Sequence, residues 1–196
     1  MNREEAISAV LGAVPNSAFL VTTTGLISRE VFAQRDRDRN LYLLGSMGLA
    51  SSIGLGLALL RPSAHVVVLE GDGSALMSLG VLPSIAAERP RQFTHVIMDN
   101  EAYESTGSQP SISGRFDLSA VGTAAGYASS LAATDADSFA DAIREASSQT
   151  GPFLVVAKVA LDPSLRTPPR VSLSPVTIRD RFRQAFSNAS ADASVK

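Results

Sequence analysis

The chain contains no cysteine in its 196 residues, which excludes disulfides and thiolate metal sites and fits a cytoplasmic protein. Charge of one sign is also scarce. Seventeen Lys and Arg face nineteen Asp and Glu, for a net charge of −2, so no basic surface advertises a nucleic acid. Long apolar runs are missing too. The longest such region, Met47 to Leu60, is interrupted by serines and glycines and is too short to span a bilayer, so no membrane contact is expected. The opening Met1-Asn2-Arg3-Glu4-Glu5 leads into an amphipathic helix and not into a signal peptide. Two phosphate-binding fingerprints are absent: no G-x-G-x-x-G follows a strand, and there is no G-x-x-x-x-G-K-[ST]. His65 and His95 each precede an apolar strand run with no partner at metal-ligand spacing, and both read as structural. No internal repeat is visible.

What is present is enough for one domain with a good core, since 45% of the residues are hydrophobic. Asn2 caps a first helix over Arg3 to Ala13, with Ala6, Ile7, Val10 and Leu11 on one face. Strands are expected at Ala18–Thr22, Leu41–Leu44, His65–Leu69, Thr94–Met98, Ala128–Ala132 and Phe153–Val159. Between them lie helices over Ser28–Gln34, from Gly48 to Leu60, Ser74–Leu79, Leu82–Glu88, from Asp117 to Gly126, and Asp135–Ser148. This alternation predicts an α/β fold, a doubly wound parallel sheet with helices on both faces. Residues 1–160 form that domain, 161–187 a C-terminal extension with a basic amphipathic helix from Pro175 to Phe186, and 188–196 a polar tail expected to be disordered. The helix ending at Leu60 is rich in small residues, and its glycines need close packing to offset their low helix propensity, within the domain or across a subunit interface.

The stretch from Leu69 to Asn100 organises the rest. Asp72 offers a carboxylate at the end of the run Val66-Val67-Val68-Leu69, which reads as a buried parallel strand. Gly71 and Gly73 flank it and let the backbone turn sharply and approach a ligand closely. Ser74 then opens a helix. The next strand ends at Asp99-Asn100, so an amide oxygen arrives at the same edge of the sheet, where ligands of open α/β sheets bind. Mg2+ is hard, takes oxygen ligands and is held by one or two protein groups plus phosphate oxygens, so this donor set suits a magnesium diphosphate. An isolated Gly-Asp-Gly is more often a turn, and it is the Asn at the next strand end that strengthens the reading.

Gly71-Asp72-Gly73 followed by Asn100 resembles the motif of thiamine diphosphate-dependent enzymes, which begins Gly-Asp-Gly and ends Asn-Asn; Asp99 replaces the first Asn. Three further stretches are similar to sulfopyruvate and phosphonopyruvate decarboxylases: Thr23-Thr24-Gly25-Leu26-Ile27-Ser28-Arg29-Glu30, Gly45-Ser46-Met47-Gly48, and Tyr103-Glu104-Ser105-Thr106-Gly107-Ser108-Gln109-Pro110. The resemblance runs from Arg3 to Phe186. It implies Mg2+ ligation by Asp72, Asn100 and the main-chain carbonyl of Ala102. It also implies diphosphate contacts from Gly73 and Ser74, with Thr24, Gly25 and Tyr103 near the cofactor. Met47 would support the bent cofactor from below, and the Gly45 carbonyl, in the same turn as Ser46, would accept from its aminopyrimidine. Where the family loop reads Gly-Gly-Gln-Pro-Thr, this chain has Ser108 and Ser111. Glu104, Ser105, Thr106 and Gln109 are the polar groups of that loop that could face substrate.

The resemblance also shows what is missing. Such enzymes use two α/β domains with the cofactor between them, and the pyrimidine domain supplies an activating glutamate. This chain has room for the pyrophosphate domain alone, and no activating glutamate can be named in it. The implied activity is decarboxylation of a small 2-oxo acid, sulfopyruvate or phosphonopyruvate, by this chain as the beta subunit of a hetero-oligomer with a pyrimidine-domain (alpha) subunit. A carboligase subunit and a non-catalytic cofactor-binding domain are the alternatives. Arg29 and Arg115 are candidate donors to an anionic substrate.

Overall fold

A computed structural model of the chain describes residues 1–189. In order, the elements are α1 (Arg3–Ala13), β1 (Phe19–Thr22), α2 (Leu26–Gln34), β2 (Asn40–Tyr42), α3 (Ala50–Leu60), β3 (Val66–Gly71), α4 (Asp72–Met77), α5 (Val81–Glu88) and β4 (Phe93–Asp99). A short antiparallel pair follows, β5 (Ala102–Tyr103) and β6 (Gln109–Pro110). Then come α6 (Leu118–Ala125), β7 (Ser129–Ala133), α7 (Ala136–Ser148), β8 (Phe153–Lys158) and α8 (Pro175–Asn188).

Six strands form one wholly parallel sheet in the order β2-β1-β3-β4-β8-β7. The fold is the expected doubly wound α/β sheet. Along each central strand, successive side chains enter two separate cores, as the pleat requires. Leu20, Val67, Leu69, Val96, Met98 and Val155 pack with α1 and α7. Val21, Val66, Val68, Ile97, Leu154 and Val156 pack with α3, α5 and α6. Because both faces are buried, these strands read as unbroken apolar runs.

Chain direction across the sheet reverses between β1 and β3, which are neighbours while β2 lies outside β1. The carboxyl ends of β1 and β3 therefore bound a crevice, the usual ligand position in such sheets.

Local chemistry explains most boundaries. Asn2 caps α1 through a reciprocal pair with Glu5: its Oδ1 accepts from the Glu5 N–H at 3.0 Å, and its own N–H donates to Glu5 Oε2 at 2.9 Å. Asp117 and Asp135 cap α6 and α7 one way, their side chains accepting from the N–H of Ser119 and of Ser138. Several expected bounds shift: β2 is Asn40–Tyr42 and not Leu41–Leu44, α2 begins at Leu26 and not at Ser28, and α3 begins at Ala50 and not at Gly48. β3 continues through Glu70 and Gly71, and α4 begins at Asp72 and not at Ser74. The segment 101–114, expected as plain loop, contains the β5–β6 pair and two 3-10 turns, Glu104–Thr106 and Ile112–Arg115.

The glycines of α3 divide. A Cβ on Gly54 would lie 2.3 Å from Val68 Cγ2 and 3.3 Å from the Phe93 ring, so the helix lies close on the sheet there. Gly56 has nothing within 4 Å and no packing reason within the described residues.

Helix α8 folds back beside β2. Phe182 and Phe186 meet Phe19 edge to face at 5.6 and 5.0 Å. Arg181 forms a two-pronged pair with Asp36, one prong being Nη1 to Oδ2 at 2.7 Å. Asn188 ends the helix and Ala189 caps it, so the expected tail loses its first two residues to α8; residues 190–196 lie outside the described residues.

The Arg181 hydrogen bond is the main reason the Asp36 carboxyl titrates below its ordinary 3.8. A depressed carboxylate contributes stability that is complete above 3.8 and is lost as pH falls through the lower folded value. Asp36→Asn is expected to cost at most about 1 kcal/mol at neutral pH, because the pair is partly exposed. It should also make the loss of stability below that pH shallower. Thermal melts of both proteins across the acid range check this.

Candidate functional site

The crevice at the strand ends is a cleft of about 620 Å3, its open mouth included. That is within the range of small-molecule sites. It collects residues from four strand ends: Thr23 and Thr24 after β1, Gly71 to Ser74 after β3, Asn100 and Ala102 after β4, and Val159 after β8. Thr24, Met47, Asp72, Gly73, Ser74, Asn100, Ala102 and Tyr103 all line it, far apart in sequence though they are. Gly25, Gly45 and Ser46 do not line it. Gly25 follows Thr24 as the N-cap of α2, and Gly45 and Ser46 are exposed beside Met47. Glu104 and Ser105 line the cleft as well, whereas Thr106 and Gln109 are exposed and bond each other, Oγ1 to Oε1, at 3.1 Å.

Backbone strain concentrates around it. Ser46, Glu101 and Ser108 have φ of 57°, 57° and 55°, and each lies in a loop that borders the cleft or leads into it. Non-glycine residues hold such angles only where surrounding contacts impose them, often at ligand sites.

Asp72 is 2% exposed. Burial pushes its carboxyl above the ordinary 3.8, against hydrogen bonds from Ser111 and Ser113 and with Asp99 adding repulsion. The partners on Oδ2 are hydroxyls, Ser113 at 3.0 Å and Ser111 closer. The neighbouring acids each have a cation or imidazole. Glu70 faces His95 at 2.8 Å, Asp99 faces Lys158 at 2.6 Å, and Glu104 pairs with Arg3. Among the described residues, Asp72 has no ion pair. A buried carboxylate without a cation is costly, and a bound cation would relieve it. The oxygen donors Asp72 and Asn100 suit a hard ion, and the cleft contains no histidine or cysteine.

Gly73 supplies the close approach. A Cβ there would lie 2.5 Å from the Tyr103 ring and 3.3 Å from Met47 Cε. Tyr103 and Met47 thus crowd onto bare backbone at the turn after Asp72. Ser74 is 1% exposed, and its hydroxyl is fully committed within the protein. It donates to Glu70 Oε2 at 2.6 Å and accepts from Thr23 Oγ1 at 3.0 Å and from the Gly48 N–H at 3.1 Å. What Ser74 can offer a ligand is its backbone N–H. Its side chain joins the Gly45–Gly48 turn to the start of α4.

Several site residues escaped the sequence reading. His95 is structural, as expected, but it has a partner: its Nε2 meets Glu70 and its Nδ1 meets the Tyr127 hydroxyl at 3.1 Å. Val68 pairs with His95 across β3 and β4, which puts Glu70 two residues along on the same face. The Asp99 departure has a match in Lys158, its register partner on β8. Ser111 keeps a hydroxyl where the resembled family has threonine, and that hydroxyl reaches Asp72. Neither Arg29 nor Arg115 lines the cleft; among the described residues the arginine in its wall is Arg3. The available signal was its position, since Arg3 shares a helical stripe with Ala6, Ile7 and Val10.

Comparison with known proteins gives the family and the fold. Residues 24–157 match the family described as thiamine pyrophosphate enzyme, C-terminal TPP binding domain. A phosphonopyruvate decarboxylase of Streptomyces viridochromogenes is 41% identical over 92% of this chain, and the match spans 45% of that enzyme. The chain therefore spans about half the length of such relatives. The sulfopyruvate decarboxylase subunit beta of Methanococcus maripaludis is 38% identical over 95% of this chain and 98% of its own length. Among solved structures, a thiamine diphosphate-dependent 4-hydroxybenzoylformate decarboxylase from Rhodococcus jostii superposes with a TM-score of 0.70 at 20% identity, over 84% of this chain and 33% of that one, which supports the fold. With a family match over most of its length and a relative covered almost end to end, this chain belongs to the thiamine pyrophosphate enzymes, as their C-terminal TPP binding domain.

Proposed function

We propose that this chain is the pyrophosphate-domain (beta) subunit of a Mg2+- and thiamine diphosphate-dependent decarboxylase. It would convert sulfopyruvate or phosphonopyruvate to the corresponding aldehyde and carbon dioxide, with the active site completed by a separate pyrimidine-domain subunit in a cytoplasmic hetero-oligomer. The observation that carries the reading is Asp72, a buried carboxylate in the cleft with no cation of its own among the described residues.

In this reading Asp72, Asn100 and the Ala102 carbonyl hold Mg2+, and the backbone N–H groups of Gly73 and Ser74 meet the diphosphate. Thr24, Gly25 and Tyr103 border the cofactor. Met47 supports its bend, and the Gly45–Ser46 turn contributes the Gly45 carbonyl. The cofactor, when bound, supplies an electron sink for the pair left behind as carbon dioxide departs. The residues of this chain position and neutralise; they provide no activating acid. Among the described residues the acids in or beside the cleft besides Asp72 are Glu70, Asp99 and Glu104, and each is already engaged, with His95, Lys158 and Arg3.

The rim supports a second subunit. Leu44, Leu49, Met77 and Ile112 are 47 to 63% exposed, and all four adjoin the site. Leu44 and Leu49 flank the Gly45–Gly48 turn, Met77 lies against Gly48, and Ile112 stands between the serines on Asp72. Exposed apolar residues grouped around a polar cleft mark an interaction surface. The sulfopyruvate decarboxylase subunit beta of Methanococcus maripaludis, 38% identical, is a relative in which a domain of this kind is a separate subunit.

The test is carbon dioxide release from sulfopyruvate and from phosphonopyruvate, with thiamine diphosphate and Mg2+, by the chain alone and co-expressed with a pyrimidine-domain chain. The pair should exceed the chain alone by about 10^3-fold or more, the scale of a lost acid–base group. Activity from the chain alone would overturn the half-site reading. An acyloin product in place of an aldehyde would make the enzyme a carboligase.

A further inference from the structure

Arginine is seldom fully buried unless its charge is paired. Arg3 is 4% exposed and stands in the wall of the cleft with Glu104 and Asn100. Its Nη1 donates to Glu104 Oε1. Its Nε lies 4.0 Å from Glu30 Oε2 and has no hydrogen-bond acceptor. Glu104 turns its other oxygen, Oε2, toward Asn100 Nδ2 at 3.3 Å.

An asparagine amide can be placed in two orientations that exchange its oxygen and nitrogen. Here the neighbours allow one. A carboxylate only accepts, so the end of Asn100 that faces Glu104 carries the NH2. A backbone N–H only donates, and the Ala102 N–H points to the other end, Oδ1, at 3.1 Å. The two contacts select the same orientation. A carbonyl oxygen has two acceptor directions, and Ala102 takes one of them. The other remains for a cation.

We propose that Arg3 and Glu104 act as a positioning clamp on Asn100. Arg3 fixes the Glu104 carboxylate, and Glu104 fixes the amide so that Oδ1, and not the nitrogen, is presented to Mg2+. Neither residue touches the ion. Arg3 has a second effect: a carboxylate released from it would be free to swing and compete for the metal. The pairing holds Glu104 in an outer position. The first helix is thereby part of the metal site, although it supplies no ligand. This inference rests on Asp72 and Asn100 being the Mg2+ ligands.

The test titrates Mg2+ into the full chain, paired with the pyrimidine-domain chain, at saturating thiamine diphosphate. Bound cofactor is read by equilibrium dialysis. Arg3→Met and Glu104→Gln are each expected to raise the half-saturating Mg2+ concentration about 10-fold, the usual cost of losing a group that orients a metal ligand. Cofactor affinity at saturating Mg2+ should stay near wild type, although Arg3→Met, which takes the cation from two carboxylates, should also lower the melting temperature. Arg3→Lys, which can still pair with Glu104, should recover most of the loss. The double variant should be no worse than the worse single one, because the two residues act through one contact. If Arg3→Met does not fold, Glu104→Gln carries the test.

The clamp is overturned if the variants titrate like wild type while Asp72→Ala loses Mg2+ dependence; the metal ligands then stand without it. It is also overturned if melting temperature, cofactor affinity and Mg2+ affinity fall together and Arg3→Lys fails to recover them, which is a purely structural role. A wild-type pair that takes up no cofactor, or an Asp72→Ala variant indistinguishable from wild type, sinks the site reading and the clamp with it.

Discussion

Asp72→Ala is expected to weaken Mg2+-dependent binding of thiamine diphosphate about 100-fold or more, above the range seen when only an orienting group is lost. The substitution removes the carboxylate of the cleft that, among the described residues, no cation neutralises. Asp72→Asn, which keeps an oxygen but not the charge, should fall between alanine and wild type. The apo protein should not suffer. Burial raises the Asp72 carboxyl above its ordinary value, so the charged group is held at a cost, and its removal sacrifices two serine hydroxyl contacts in exchange for that cost. The expected signature is lost cofactor binding with a melting temperature unchanged or slightly higher. Calorimetric titration with Mg2+ and thiamine diphosphate, beside a thermal melt, measures both. Retained Mg2+-dependent binding would remove Asp72 from the metal site.

That prediction was available from the sequence because its chemistry is local. Gly71, Asp72 and Gly73 are adjacent, and Asn100 ends the very next strand, so the turn, the carboxylate and the amide announce themselves within one β-α-β unit. The sheet was legible for a related reason: strands buried on both faces are continuous apolar runs, and helices with caps and turn residues separate them. What stayed hidden depends on register and long-range packing. Lys158 meets Asp99 because β8 pairs with β4 in one particular alignment, and β7 must be skipped to bring them together. Arg3 reaches Glu104 across 101 residues of chain. Ser74 reads as a diphosphate contact at a helix start, and what the sequence does not show is that its hydroxyl is consumed by Glu70, Thr23 and Gly48, contacts that need three separate segments in place. Gly54 and Gly56 look alike in sequence, and the sheet beneath the first is what distinguishes them.

Glu70→Ala is expected to be the most destabilising polar substitution near the cleft. Glu70 is fully buried, and its two oxygens each hold a buried partner, Ser74 at 2.6 Å and His95 at 2.8 Å. Alanine leaves His95, 1% exposed, and the Ser74 hydroxyl without their acceptor. Breaking a buried pair from one side costs about 3–5 kcal/mol. For a chain of this size that corresponds to a fall of about 6–20 °C in melting temperature. Glu70→Gln separates charge from connectivity. Its oxygen can accept from Ser74 while its NH2 donates to His95 Nε2, provided the imidazole carries its proton on Nδ1 and donates it to the Tyr127 oxygen. The whole chain of contacts survives a tautomer exchange, so the loss should be about 1 kcal/mol or less. Urea unfolding of the three proteins gives the energies, and nitrogen NMR of His95 reports the tautomer. If alanine and glutamine cost the same, the charge and not the connectivity of Glu70 governs its contribution. If alanine costs under about 1 kcal/mol, the buried chain from Tyr127 to Ser74 does not hold the diphosphate-side turn in place.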